Sequence, residues 1–228
     1  MISVVLAAYK GEKYIASQVE SILCQLGDDD ELIITDDYPE GKTYSAIESI
    51  VKADSRVKYI HGKSQGLIKN FEHGLNNAKG DYIFLSDQDD KWIDGKVDAV
   101  MKEFAKGADV VLHDALITDA DLNPTGERAF EINSAVTGII RNIIKNSYQG
   151  SCMAFTKEIK DIVLPFPDKI PMHDQWIGLL GEKYGKVHLV NEPYIYYRRH
   201  GENVSGGGSS LMTKLVWRFN IIRCLLRK

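Results

Sequence analysis

Short apolar runs alternate with segments of helical period through the first half of the chain, and that alternation limits the possible folds most tightly. Residues 2–8, 31–35, 57–60, 82–85 and 108–113 read as strands. Between them, residues 14–26, 43–53, 67–78 and 94–106 read as helices, the first with Ile15, Val19, Ile22, Leu23 and Leu26 along one face. Unbroken β/α alternation predicts an α/β fold, a mostly parallel sheet flanked by helices and joined by right-handed crossovers. Ile83, Phe84 and Leu85 are apolar without a gap, as a strand covered on both faces requires.

That strand runs into Asp87, Gln88, Asp89 and Asp90. Open α/β sheets place ligands beyond the carboxyl ends of their strands. Carboxylates this close repel one another unless a cation or hydrogen-bond donors compensate. Their hard oxygens suit Mg²⁺ or Mn²⁺, ions that commonly bridge carboxylates to substrate phosphates. The plainer alternative is an Asp-rich turn capping the helix that begins near Asp94. Tyr9 after the first strand and Asp37 after the second converge on the same edge. Together these groups suit a nucleotide: Tyr9 stacks on a base, Asp37 accepts from a ring N–H or ribose hydroxyl, and the later aspartates hold a metal on a diphosphate. The sequence has neither GxGxxG after the first strand nor GxxxxGK[ST] anywhere. A bound diphosphate would therefore be neutralised by a cation and by side chains.

The second half is less regular. Residues 139–145 form a short helix, 148–155 a loop feeding a strand, and Thr156 caps a helix reaching Val163. Pro165, Pro167 and Pro171 hold an extended loop. A helix from His173 to Tyr184 follows, with Trp176, Leu179 and Leu180 on its apolar side, then strands at 187–190 and 194–197. Residues 206–210 (GGGSS) read as a linker. The tail, 211–228, carries Lys214, Arg218, Arg223, Arg227 and Lys228 among apolar residues that include Trp217 and Phe219, with no acidic residue. Such a basic amphipathic helix suits an anionic membrane surface; the alternative is docking on its own domain or on a second subunit.

The 228 residues suit one α/β domain with a small appendage, and the net charge of −4 gives no nucleic-acid footprint. Cys24, Cys152 and Cys224 are scattered and read as reduced thiols of a cytoplasmic protein. The apolar start at residues 2–8 is shorter than a signal-peptide core and reads as the first strand.

Several spaced motifs resemble family 2 glycosyltransferases: Val4-Val5-Leu6-Ala7-Ala8-Tyr9, Ser21-Ile22-Leu23-Cys24-Gln25, Asp36-Asp37, and the strand leading to Asp87-Gln88-Asp89-Asp90. Tyr197-Arg198-Arg199-His200 and the residues on to 206 resemble the subset that builds bacterial surface polysaccharides, with rhamnosyltransferase-like members. The resemblance implies an inverting, metal-dependent enzyme with a GT-A domain over 1–205, divided into a nucleotide-binding half (1–113) and an acceptor-binding half (114–205). It implies a nucleotide-diphosphate sugar donor, dTDP-rhamnose or a UDP-hexose. The acceptor would be a glycan or lipid-linked oligosaccharide at the inner face of the cell membrane. Two departures stand out: Asp37-Tyr38-Pro39-Glu40-Gly41 replaces the usual Asp-Gly-Ser-x-Asp, and Lys10 replaces the usual Asn after Tyr9.

By the same resemblance Asp89 is a metal ligand, Asp87 and Asp90 are a ribose contact and a supporting ligand in either order, and His200 is a third ligand or a diphosphate donor. Ala8, Lys69 and Gln88 complete the donor set with Tyr9 and Asp37. Alternation along the last strand sends one of Arg198 and Arg199 inward to the diphosphate. Inversion needs a base that deprotonates the acceptor hydroxyl. His173-Asp174 occupies the family's position for it, making Asp174 the base; Gln149, Gly150, His173 and Trp176 are acceptor-pocket candidates. A sugar-phosphate nucleotidyltransferase is a rival reading, but it needs a glycine-rich basic stretch where this chain has Ala8-Tyr9-Lys10-Gly11. A non-catalytic glycan- or nucleotide-binding protein of the same fold is the other.

Overall fold

The structure is a computed structural model that describes residues 1–200 and 210–228. Most of the 206–210 linker and the motif residues 201–206 lie outside the described residues.

The first half follows the expected order: β1 (Ile2–Ala8), α1 (Ile15–Leu23), β2 (Glu31–Asp36), α2 (Thr43–Ala53), β3 (Val57–His61), α3 (Leu67–Asn77) and β4 (Tyr82–Asp87). A two-residue β5 (Lys91–Trp92), α4 (Lys96–Ala105) and β6 (Val110–Thr118) come next. The second half contains β7 (Pro124–Arg128), α5 (Ala129–Asn133), α6 (Ile139–Ile144), β8 (Met153–Thr156), α7 (Lys157–Val163), α8 (His173–Tyr184), β9 (Val187–Arg198) and α9 (Leu211–Leu225).

The strands join in one sheet ordered β3-β2-β1-β4-β8-β6-β9-β5, with β7 on β6. β1 lies at the heart of the parallel half, between β2 and β4, with Ala8 opposite Asp36 and Ala7 opposite Asp87. The carboxyl ends of three strands therefore meet at one edge. Alternation explains the uninterrupted apolar runs: Val4 and Leu6 join the core under α1, α2 and α4, while Val5 and Ala7 join the core under α3, α7 and α8. Gly74 lets α3 approach β1, since a Cβ there would lie 2.4 Å from Val5 Cγ1.

The second half departs from the sequence reading in particular ways. β8 inserts antiparallel between β4 and β6, which makes the sheet mixed in its second half. β5, β7 and α5 were not foreseen; each is short, and a half-turn of periodicity leaves no signal. The strands expected at 187–190 and 194–197 are one strand, β9, whose register against β6 shifts opposite Asp114 to admit Pro193. Only Ile195 and Tyr196 of β9 pair with β5, so Pro193 sits where that side needs no ladder donor. Thr156 precedes α7, but its side chain makes no capping hydrogen bond.

α9 docks on its own domain through one face. Ile221 and Leu225 are buried in the α3/α7/α8 core. Lys183 Nζ donates to Leu225 O (3.0 Å), Lys228 Nζ to Ile162 O (2.6 Å), and Arg218 Nη2 to Ile144 O (2.6 Å) at the end of α6. The other face, including Leu211, Leu215, Val216 and Phe219, remains exposed. Among the described residues no helix is long and apolar enough to cross a membrane.

Trp176 is wholly buried in this core, its indole N–H donating to Val163 O at 2.9 Å. Trp176→Ala should cost about 3–5 kcal/mol, lowering the melting temperature by about 10 °C in calorimetry, and Trp176→Phe should cost clearly less.

Candidate active site

The edge where β1, β2 and β4 end is held by side chains bonded to backbone. Gln88 pairs both amide atoms with one residue, accepting from Tyr9 N (2.9 Å) and donating to Tyr9 O (2.8 Å). Asp37 accepts from Gln65 N (3.1 Å) and Gly66 N (2.6 Å), fixing the loop into α3. Asn70 of α3 donates to Ala8 O and Thr35 O, tying the two strand ends together. Exposed Tyr9 and Tyr38 have ring centroids 5.7 Å apart, with Lys10 Nζ about equally close to both rings. Lys10 itself has φ 52. Asn tolerates that left-handed backbone better than Lys does, which gives a physical reason for the family's usual residue there. Lys69 pairs with Glu72 and Asp168, and with Asp37 it lines a small side cleft.

Beyond β4, Asp87 and Asp89 are partly exposed, while Asp90 is 1% exposed. Asp90 Oδ1 accepts from Arg198 N (3.2 Å), so Asp90 lies beneath the turn that carries Asp89. Arg198 is also buried; its Nε donates to Asp89 O (2.7 Å) and its guanidinium stacks on Tyr14 at 4.4 Å. Arg198 is thus the inward arginine of the pair and braces the aspartate turn, while Arg199 lies at the cleft surface within 3.5 Å of Glu127. His200 Nε2 lies 2.7 Å from Asp89 Oδ2, joining residues 111 apart in sequence. Among the described residues no three His, Cys, Asp or Glu side chains gather around one point. A divalent ion would find Asp89 and His200 here, with other positions left for diphosphate oxygens and water, the mode that suits Mg²⁺.

Burial pushes Asp87 up to about 7, helped by repulsion from Asp89 and then Asp174. Burial also raises Asp90 well above the usual carboxylate range, and the charges of Asp89 and Asp87 add to it. Beneath them lies a cation that the sequence reading overlooked. Lys96 is fully buried, with Nζ donating to Ser151 O (3.0 Å) and lying 4.0 Å from the Trp92 ring centroid; burial lowers it to about 7. A lysine opening an amphipathic helix gives no sign in sequence of pointing inward.

The second half of the chain adds Asp174, in the first turn of α8. Its Oδ1 accepts from Gln175 N (2.5 Å) and Asn146 Nδ2 (3.1 Å), and burial pushes it up to about 6 despite those donors. Gln149 and Asp174 line one cleft of ≈1220 Å³ together with His200. His173 and Trp176 do not line it. His173 is stacked on Phe71 at 4.1 Å, and burial lowers it to about 3. Gly150 makes room for that ring, because a Cβ there would stand 2.7 Å from His173 Nε2. Trp176 belongs to the core described above. Asn146 was also overlooked, being one of several polar residues in a loop without periodicity.

The family model "Glycosyl transferase family 2" matches residues 3–164. The chain belongs to that family. Among curated relatives of this glycosyltransferase family, a Campylobacter jejuni protein named GalNAc(5)-diNAcBac-PP-undecaprenol beta-1,3-glucosyltransferase is 28% identical over 118 residues, covering 51% of this chain and 38% of that one. The structure of S. aureus TarS 1–349 in complex with UDP-GlcNAc superposes with a TM-score of 0.74 at 18% identity, over 98% of this chain and 66% of that one. A mannosyltransferase from Pyrobaculum calidifontis in complex with GDP-Man and Mn²⁺ gives 0.65 at 15% identity, over 100% and 64%. These likenesses show the GT-A fold. The family 2 chain spans 66% of the length of one curated relative and as little as 17% of another.

Asn146→Ala removes a donor to the Asp174 carboxylate. The Asp174 titration, followed by carboxyl carbon NMR, should move up by about one pH unit.

Proposed function

We propose that the chain is an inverting glycosyltransferase that moves a sugar from a nucleotide-diphosphate donor to a hydroxyl of a glycan or lipid-linked glycan in cell-surface polysaccharide synthesis. The observation that supports this reading is the cleft lined by both Asp174, at the head of α8, and His200, whose Nε2 lies 2.7 Å from Asp89 Oδ2. His200 thus links the carboxylate turn after β4 to the cleft that holds Asp174. Tyr9 stacks on the base, with Ala8 backing it at the end of β1; Asp37, Lys69 and Gln88 shape the loops around the nucleoside. Arg199 meets the diphosphate from the cleft wall, and Arg198 acts through Asp89 and Asp90. Asp89 and His200 would hold Mn²⁺ or Mg²⁺, with Asp90 supporting their turn through its bond to Arg198 N. The ion, when bound, supplies Lewis-acid stabilisation of the departing diphosphate. The named ligands of the structural neighbours, UDP-GlcNAc and GDP-Man with Mn²⁺, support a sugar-nucleotide donor here, dTDP-rhamnose or a UDP-hexose.

Asp174 takes the proton of the acceptor hydroxyl as that oxygen attacks the anomeric carbon opposite the diphosphate. A base near 6 is mostly ionised at neutral pH and still basic enough to accept a proton. Gln149 lines the acceptor side, and Gly150 and His173 set the backbone around Asp174. The rate should fall as pH drops through about 6, where Asp174 becomes protonated, and stay level above it. Asp174→Asn should lose about 10²–10⁴-fold in kcat and lose that acid limb, while nucleotide-sugar binding, read as a thermal shift with Mn²⁺, persists. Full turnover in Asp174→Asn would refute the assignment. Binding without turnover in the parent chain would favour the non-catalytic reading.

The exposed face of α9, apolar with five basic and no acidic residues across 211–228, supports a cytoplasmic position on the inner face of the cell membrane. Leu215→Glu with Phe219→Glu should weaken sedimentation with phosphatidylglycerol vesicles at least tenfold and leave the melting temperature unchanged, because both side chains lie outside the core.

A further inference from the structure

The cleft that holds Asp174 and His200 is also walled by α9. Lys214, Trp217 and Arg218 line it alongside Lys145 and Asn146 from the segment after α6. Its ≈1220 Å³ exceeds the roughly 300–1,000 Å³ usual for drug-sized ligands, so it has room for more than one sugar. Among its described lining residues Lys145, Arg199, Lys214 and Arg218 face a single carboxylate, Asp174. Arg199 lies near Glu127, whereas Lys145 and Lys214 form no ion pair among the described residues. A neutral acceptor sugar leaves the charge of these cations uncompensated.

The basic wall lies close to the reacting centre. Arg218 donates to Ile144 O, and Asn146, two residues on, donates to Asp174. Two residues of chain span at most about 7 Å. Ile140 and Ile144 on α6, and Leu215, Val216 and Phe219 on α9, are all exposed, and Ile144 also lines the cleft. Cations beside Asp174 and exposed apolar side chains on the two neighbouring helices match an acceptor whose sugar is joined to a lipid through phosphate.

Resting on the glycosyl-transfer reading above, we propose that Lys145, Lys214 and Arg218 form a binding site for the phosphate or diphosphate ester of a lipid-linked acceptor, whose lipid lies along the exposed face of α9. The tail helix then selects the acceptor as a wall of the active site, in addition to any contact it makes with a bilayer. Lys and Arg bind phosphate oxygens through charge-assisted hydrogen bonds that are stronger than those to a neutral hydroxyl.

Trp217 provides the readout, being 42% exposed where Trp92 and Trp176 are 3% and 0%. The full chain, held with saturating UDP and Mn²⁺ so that the donor edge is filled, is titrated with farnesyl diphosphate, farnesol or inorganic diphosphate while tryptophan emission is recorded. Farnesyl diphosphate should shift the emission to the blue and saturate, binding at least tenfold more tightly than either fragment. Lys145→Gln with Lys214→Gln should weaken it by about tenfold for each cation removed. Lys214→Arg should retain binding, and UDP affinity by calorimetry should be unchanged in all variants. Equal affinity for farnesol would overturn the phosphate site, as would farnesyl diphosphate binding that appears only when UDP is left out, or full affinity in the double variant at an unchanged melting temperature. A chain that binds farnesyl diphosphate but no UDP would support the site while overturning the donor reading.

Discussion

Burial of neighbouring carboxylates governs this site. It raises Asp87 and Asp90, and the charges of Asp89 and Asp174 on Asp87, and of Asp89 and Asp87 on Asp90, add to it. The chain answers with groups placed underneath and behind. Lys96 lies under the cluster, Arg198 N–H bonds Asp90, and His200 reaches Asp89. That compensation is incomplete, since Asp87 and Asp90 still resist ionisation. A site left in this state favours positive charge. Asp174 is raised by burial and held back by the N–H donors of Gln175 and Asn146.

Much of the polar chemistry at the edge is devoted to holding the backbone. Gln88 closes on Tyr9, Asp37 on the loop before α3, and Arg198 on the aspartate turn. Several residues that a motif would mark as ligands are thus brackets whose lone pairs or N–H groups are already partly used. Asp37 still has acceptor capacity, because a carboxylate offers about four lone-pair directions and two are taken. Rigid brackets matter here because hydrogen-bond catalysis is lost with small displacements, and long loops between strands would otherwise sample many shapes.

The parallel half was legible because each of its strands is buried on both faces and each helix carries a continuous apolar stripe. The edge of the sheet followed from topology alone, and with it the convergence of Tyr9, Asp37 and Asp87. The mixed half was not legible. β8 pairs antiparallel with two strands through four residues, a length at which alternation and helical period look alike. Lys96 and Asn146 were missed for a related reason: their roles depend on partners 55 and 28 residues away, Ser151 and Asp174, and on no local pattern. Of Arg198 and Arg199, alternation showed that one turns inward, and only the pairing of β9 with β6 shows which.

α9 combines two readings that sequence could only set against each other. Ile221 and Leu225 are as deeply placed as strand residues, so the helix is part of the folded domain. Its remaining apolar surface is exposed, and among the described residues its cations form no ion pair. A helix anchored at two points on one face presents the other in a fixed orientation relative to Asp174, through Arg218, Ile144 and Asn146. The contacts that complete the core therefore also fix the orientation of α9 relative to Asp174.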